Sequence, residues 1–239
     1  MQRNFHRWFS SRLGRDMEML VFGHAGASVL AFPTSMGRFY EYEDFGMAHA
    51  LEHQIDQGWI KLFCVDGIDA ESWYNRSIAP HDRAVRHEQY ESYLMEEVVP
   101  LMRDYNGYHN DFLMTTGCSF GAYHAANLAF KHPDVFSRVI AISGQYDLHF
   151  LIRDGFDDAC YFNSPMSYLP NLGDERYLGP LRDHLQIRLC SGGWGDICRD
   201  GTESLAAVLR AKDIPHTLDI WDDAWHDWPW WHRMTVKHV

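Results

Sequence analysis

The sequence predicts an α/β protein, with a mostly parallel central sheet, an antiparallel hairpin at its N-terminal end and helices on both faces. Three observations predict it. Short runs rich in Val, Ile, Leu and Phe alternate with longer stretches that carry apolar residues at three- and four-residue spacing, the pattern of strands joined by crossover helices. The 239 residues are 46% apolar and 15% aromatic, enough for one large core, so a single domain over 1–239 is expected. No internal repeat or low-complexity segment interrupts the alternation.

In chain order, the apolar runs place strands at 17–22, 28–32, 60–65, 112–116, 138–142, 186–190 and 217–221. Helical spacing falls at 42–57, 87–105, 120–131, 202–211 and 230–237; the fourth ends before Asp213-Ile214-Pro215, a stop signal. Only Gly23-His24-Ala25-Gly26-Ala27 joins the first two strands, so these are expected to form the hairpin. Two stretches, 67–86 and 145–183, break the alternation. Connections of that length inside a domain usually serve function, and both are expected to overlie the site.

The chemistry centres on Gly117-Cys118-Ser119-Phe120-Gly121. In G-x-S-x-G a strand turns sharply into a helix, and the small flanking residues let the strained serine backbone pass close to its neighbours. Here a strand run precedes the pentapeptide and Ala122-Tyr123-His124-Ala125-Ala126 opens a helix after it, a context that a bare glycine-rich turn does not require. A serine hydroxyl needs an imidazole to take its proton and a carboxylate to orient that imidazole. In α/β-hydrolases these follow in the order Ser, Asp or Glu, His. His226 sits after the last strand and ahead of the last helix. His216, His232 and His238 lie nearby among fifteen histidines, and position selects His226. The loop after the preceding strand offers Asp196, and the glycines ahead of it at 192, 193 and 195 let that loop fold tightly. Asp200 is its nearest competitor, and Asp222, Asp223 and Asp227 lie too near His226 in sequence. For the oxyanion, the residue after the nucleophile supplies one amide, Phe120. The loop Pro33-Thr34-Ser35-Met36-Gly37 supplies the other, from Met36 with Ser35 as the alternative.

With these residues placed, the chain resembles the putative esterase family of α/β-hydrolases, which includes esterase D-like enzymes, feruloyl esterases and mycolyl transferases. The resemblance rests on the 32–37 stretch Phe-Pro-Thr-Ser-Met-Gly, on the elbow, on Tyr161-Phe162-Asn163-Ser164-Pro165 and on His226-Asp227-Trp228-Pro229-Trp230-Trp231. It implies a carboxylic ester hydrolase with Ser119, Asp196 and His226 as its triad and an acyl-enzyme intermediate, or an acyltransferase using the same triad. It implies no cofactor and no metal.

Other classes compete with this reading. His49-Ala50-Leu51-Glu52-His53 matches H-x-x-E-H, which would put two zinc ligands on one helix face, but no clear third ligand is near in sequence. A catalytically silent α/β-hydrolase that only binds is opposed by the intact elbow. The tryptophans at 225, 228, 230 and 231 suit a core or an aryl pocket and are left unassigned. A net charge of −12 excludes a nucleic-acid groove, so the expected partner is a small-molecule ester, with homo-oligomerisation left open. No run suggests a membrane span or a signal peptide. Five cysteines without a C-x-x-C pair fit a reducing, cytoplasmic setting.

Overall fold

In the computed structural model, which describes residues 1–107, 111–193 and 195–239, eight strands form one mixed sheet. They are β1 (Arg3–Ser10), β2 (Arg15–Phe22), β3 (Ala27–Phe32), β4 (Ile60–Val65), β5 (Leu113–Cys118), β6 (Arg138–Ile142), β7 (Gln186–Gly192) and β8 (His216–Trp221), in the order β1-β2-β4-β3-β5-β6-β7-β8. β3 to β8 run parallel, and β2 is antiparallel to β1 and β4. This is the α/β-hydrolase sheet.

The hairpin is present, but its strands differ from those expected. β2 and β3 run in opposite directions without touching, because β4 lies between them: Met19 pairs with Val65 on one side of β4, and Leu30 with Phe63 on the other. β4 is buried along its whole length, which suits a central strand. The connection at 23–26 instead crosses the start of β4. A Cβ on Gly26 would stand 2.3 Å from the Trp59 carbonyl carbon, and the Ala27 amide donates to Trp59 O at 2.9 Å. The true partner of β2 is β1, unforeseen because Arg-Asn-Phe-His-Arg-Trp-Phe-Ser is an exposed edge strand whose charges, rather than an apolar face, mark it.

Alternate side chains of the strands feed two cores. On one face Leu20, Val29, Leu62, Met114 and Ile140 pack against the short helices α1 (Glu41–Asp44), α2 (Met47–Ala50) and α3 (Glu52–Asp56) and against α11 (Trp228–His238). The expected helix 42–57 is thus three pieces, with Gly46 at φ 79° between the first two and Leu51 between the second and third. On the other face Val21, Leu30, Phe63 and Val139 meet α4 (Pro80–Tyr93), a π turn at Leu94–Val98, α5 (Val99–Tyr105), α6 (Phe120–Lys131), α8 (Pro165–Asn171), α9 (Glu175–Asp183) and α10 (Arg199–Ala211). α6 is buried from Phe120 to Phe130, as a helix sandwiched between sheet and helices must be, and Ala122, Ala125, Ala126 and Ala129 let it lie close.

The two long connections are shorter in irregular backbone than expected. α4 begins at Pro80, whose missing amide costs nothing at a first turn, and 145–183 holds a 3-10 turn at Leu148–Phe150 and the helices α7 (Asp158–Tyr161), α8 and α9. Both still reach the elbow: the Tyr74 ring meets Phe120 edge-on at 5.3 Å, and Phe150 does so at 6.3 Å. Among the described residues no helix is long and apolar enough to cross a membrane.

Candidate active site

β5 turns into α6 at Ser119, whose φ of 55° and ψ of −124° lie where a non-glycine residue is strained. The flanking glycines make that turn feasible. A Cβ on Gly117 would fall 2.2 Å from the Gly121 carbonyl, and one on Gly121 would fall 2.5 Å from Pro33 O. Ser119 therefore stands at the C-terminal edge of the central strand, where ligands bind in open α/β sheets.

The loops after β7 and β8 converge on it. Asp196 and His226 lie on neighbouring loops fused by glycine contacts: a Cβ on Gly193 would meet Asp222 O at 2.0 Å, one on Gly192 would meet Ala224 O at 2.4 Å, and Gly195 bridges Trp225 in parallel register. Trp194, in the same loop, lies outside the described residues. His226 Nδ1–H donates to Asp196 Oδ1 at 2.9 Å, and Ser119 Oγ–H donates to His226 Nε2 at 3.0 Å. Both are ordinary hydrogen-bond lengths, and 3.0 Å puts the Ser119 proton within reach of Nε2.

Asp196 is built to stay charged. Its side chain is fully buried, which by itself would raise the carboxyl; hydrogen bonds from His226, Ser143 and the Gly192 and Cys198 amides outweigh burial and hold it well below the usual carboxylate range. Ser191 Oγ donates as well, at 2.9 Å, and the two amides at 2.8 and 2.9 Å. Ser143, at φ 53° just past β6, donates to Asp196 Oδ2 and accepts from Trp231 Nε1–H at 3.1 Å. Trp231 also sets its ring edge-on to His226 at 4.8 Å. Sequence reading missed Ser143 and Ser191 and left Trp231 unassigned. The one available signal was the position of Ser143-Gly144 at a strand's C-terminal end.

The competing carboxylates are placed elsewhere. Asp227 caps α11 through the Trp228 amide, and Asp200 lies in the first turn of α10. Trp228 stacks on Phe45 at 5.0 Å and stands edge-on to Trp231 at 5.2 Å, Trp230 lies under Arg233, and Trp225 is exposed. A cavity of about 600 Å³, lined by Phe130, Tyr161, Phe162, Tyr168 and Tyr177, opens instead at the far end of α6, about 18 Å along the helix from Ser119.

The early loop departs from expectation. The Met36 amide, expected to be the second oxyanion donor, donates to Asp69 Oδ2 at 3.0 Å, and the Met36 side chain is exposed. That N–H is already spent. The alternative, the Ser35 amide, donates to no described residue, and neither does the Phe120 amide at the first turn of α6.

For metals, His49 is exposed on α2 and pairs with Glu52, while His53 lies on α3 against Trp59, and the two join no group of three ligands among the described residues. Such groups occur at Asp196, Cys198 and His226 and at Cys190, Asp219 and His238. In both the carboxylate is already engaged by protein donors, Asp219 by Trp221, Lys237 and His238.

A serine on the strained turn of this sheet, hydrogen-bonded to an imidazole that reaches a buried carboxylate, sits in the fold of an α/β-hydrolase, and the family model that matches the chain makes it a carboxylic ester hydrolase. The chain belongs to the putative esterase family, whose sequence model matches residues 11–238. No curated protein sequence matches it. Among solved structures it is similar to a ferulic acid esterase, at 17% identity and TM-score 0.78 over 100% of this chain and 96% of that one. It is also similar to an S-formylglutathione hydrolase from Agrobacterium tumefaciens, at 15% identity and TM-score 0.74 over 99% and 92%, and to one from Staphylococcus aureus, at 10% and 0.71 over 99% and 96%. At these identities the likeness is one of fold.

Proposed function

We propose that the chain hydrolyses small-molecule carboxylic esters through an acyl-enzyme on Ser119. The observation that carries this is His226, whose two ring nitrogens stand 3.0 Å from Ser119 Oγ and 2.9 Å from Asp196 Oδ1. In that arrangement Nε2 takes the hydroxyl proton as Oγ attacks the ester carbonyl, and Asp196 stabilises the imidazolium. The Phe120 and Ser35 amides hold the oxyanion. His226 then returns the proton to the departing alcohol, and water, activated by the same nitrogen, releases the acid. Exposed Ile197, Trp225, Met36 and Phe150 flank these residues in sequence or space, which favours an apolar acyl or aryl group. The five cysteines are all free, in keeping with a reducing, cytoplasmic setting.

The test is fluorophosphonate labelling with peptide mapping, run beside a panel of nitrophenyl esters. Label is expected at Ser119, and Ser119→Ala is expected to lose kcat by about 10⁴-fold or more. An unlabelled chain that cleaves no ester would favour a silent binding protein, and an unchanged rate in Ser119→Ala would end the proposal.

A further inference from the structure

Carboxylates hold the 33–37 loop from two sides. Glu41 accepts from the Thr34 amide at 2.6 Å and from Thr34 Oγ1–H at 2.7 Å, an approach open only because Gly37 has no Cβ. Asp69, from the connection after β4, accepts from the Met36 amide through Oδ2 at 3.0 Å and from His124 Nε2–H through Oδ1 at 2.8 Å. His124 belongs to α6, five residues past Ser119. Its ring stands edge-on to Phe120 at 4.9 Å and stacks on Phe32, the last residue before the loop, at 5.8 Å. One buried carboxylate thus ties the turn that carries the Ser35 amide to the helix that carries the Phe120 amide.

Stability alone is a poor reason for such a pair. Asp69 is 4% exposed and His124 6%, in surroundings that include Phe32, Tyr90, Phe120 and Tyr123. Burying two polar groups there costs about what their bond returns, and an apolar pair of similar volume would serve packing as well or better. What an apolar pair could not do is fix Met36 N–H, and with it the peptide next to Ser35. Two amides stabilise an oxyanion only when both reach the same point, and a donor displaced by about 1 Å loses much of its effect.

We propose that Asp69 and His124 are positioning residues that set the spacing of the two oxyanion amides, an inference that rests on the esterase reading of Ser119, Phe120 and Ser35. The variants that test it are Asp69→Leu, Asp69→Asn and His124→Leu, each assayed for kcat, KM and the rate of phosphonate labelling per folded site. Asp69→Leu removes both acceptors; kcat and the labelling rate are expected to fall together by about 100-fold while KM changes less than about threefold. In Asp69→Asn, Oδ1 can still take the Met36 N–H while Nδ2 donates to the other tautomer of His124, so activity is expected to return to within about fivefold of wild type. His124→Leu leaves the Asp69–Met36 bond but unanchors it, with an intermediate loss, and decides the matter if Asp69→Leu does not fold. A purely structural pair would lower the melting temperature of these variants and leave the per-site kcat and labelling rate unchanged, which would overturn the proposal while the esterase reading stood. A wild-type chain that neither labels at Ser119 nor cleaves an ester would overturn both.

Discussion

Replacing Asp196 with Asn tests the site where its geometry is most specific. The carboxylate accepts on both oxygens: Oδ1 from His226 Nδ1–H and the Cys198 amide, Oδ2 from Ser143, Ser191 and the Gly192 amide. An amide has one acceptor and one donor end, so either orientation sets its NH₂ against a fixed backbone N–H. Facing Cys198 and His226, the NH₂ also forces the imidazole into the tautomer protonated on Nε2, and the nitrogen that should take the Ser119 proton then carries one. Facing Gly192, it opposes that amide among groups arranged for an anion. The first orientation abolishes the base, and the second leaves an uncharged partner for the imidazolium. Loss of kcat by about 10⁴-fold is expected, about 5 kcal/mol of barrier, with little change in KM. The assay is nitrophenyl ester hydrolysis with active-site titration, since the substitution keeps volume and the fold should persist. A kcat within about tenfold of wild type would show that Asp196 does not orient His226 in turnover.

The early loop and the C-terminal edge give two more. The Gly37 amide donates to Thr34 O at 2.9 Å, and of the two central residues only Met36 has positive φ, at 61°, which makes a type II turn with Ser35 where proline is favoured. Ser35→Pro should therefore keep the turn and remove one N–H, lowering kcat by about 10²- to 10³-fold. Ser35→Ala, which loses only the hydroxyl bond to Tyr74, should stay within about threefold, and equal activity in both would exclude the Ser35 amide. At the sheet edge, burial would raise the Asp219 carboxyl, but hydrogen bonds from Lys237, Trp221 and His238 pull it down to about 2. A carboxyl lowered by folding stabilises above its unfolded pKa and loses that contribution as pH falls through the folded one. Asp219→Asn should thus cost about 1 kcal/mol at pH 7 after solvent screening, with the gap to wild type closing between about pH 4 and 2 in urea melts; a gap independent of pH would refute the assignment.

Local pattern made the strands and the elbow legible in the sequence. Continuous apolar runs marked the buried strands, and Gly-x-Ser-x-Gly between one such run and an alanine-rich helix marked the elbow, because only that backbone needs glycines at 117 and 121. Asp196 and His226 were readable by order along the chain, since parallel strands deliver successive loops to one edge of the sheet. β1 was missed because its inward face carries Asn4, His6, Trp8 and Ser10 while Phe5 and Phe9 are exposed, so apolar residues do not mark the buried side, and the β2–β3 pairing because a short linker is equally compatible with a hairpin and with stepping over an inserted strand.

The engagement of the Met36 amide was hidden for a different reason. Position in the loop predicts which amides lie beside the elbow, but availability depends on Asp69, 33 residues away in sequence, and on a turn whose handedness at residue 36 sends one N–H into that carboxylate and leaves its neighbour unspent. Asp69, His124, Ser143 and Trp231 share this property. Nothing local assigns any of them a partner, and each acquires its contacts only when distant segments close together. Ser119, His226 and Asp196 are therefore found by the chain's order, whereas the groups that hold them at 2.9 and 3.0 Å are found by packing.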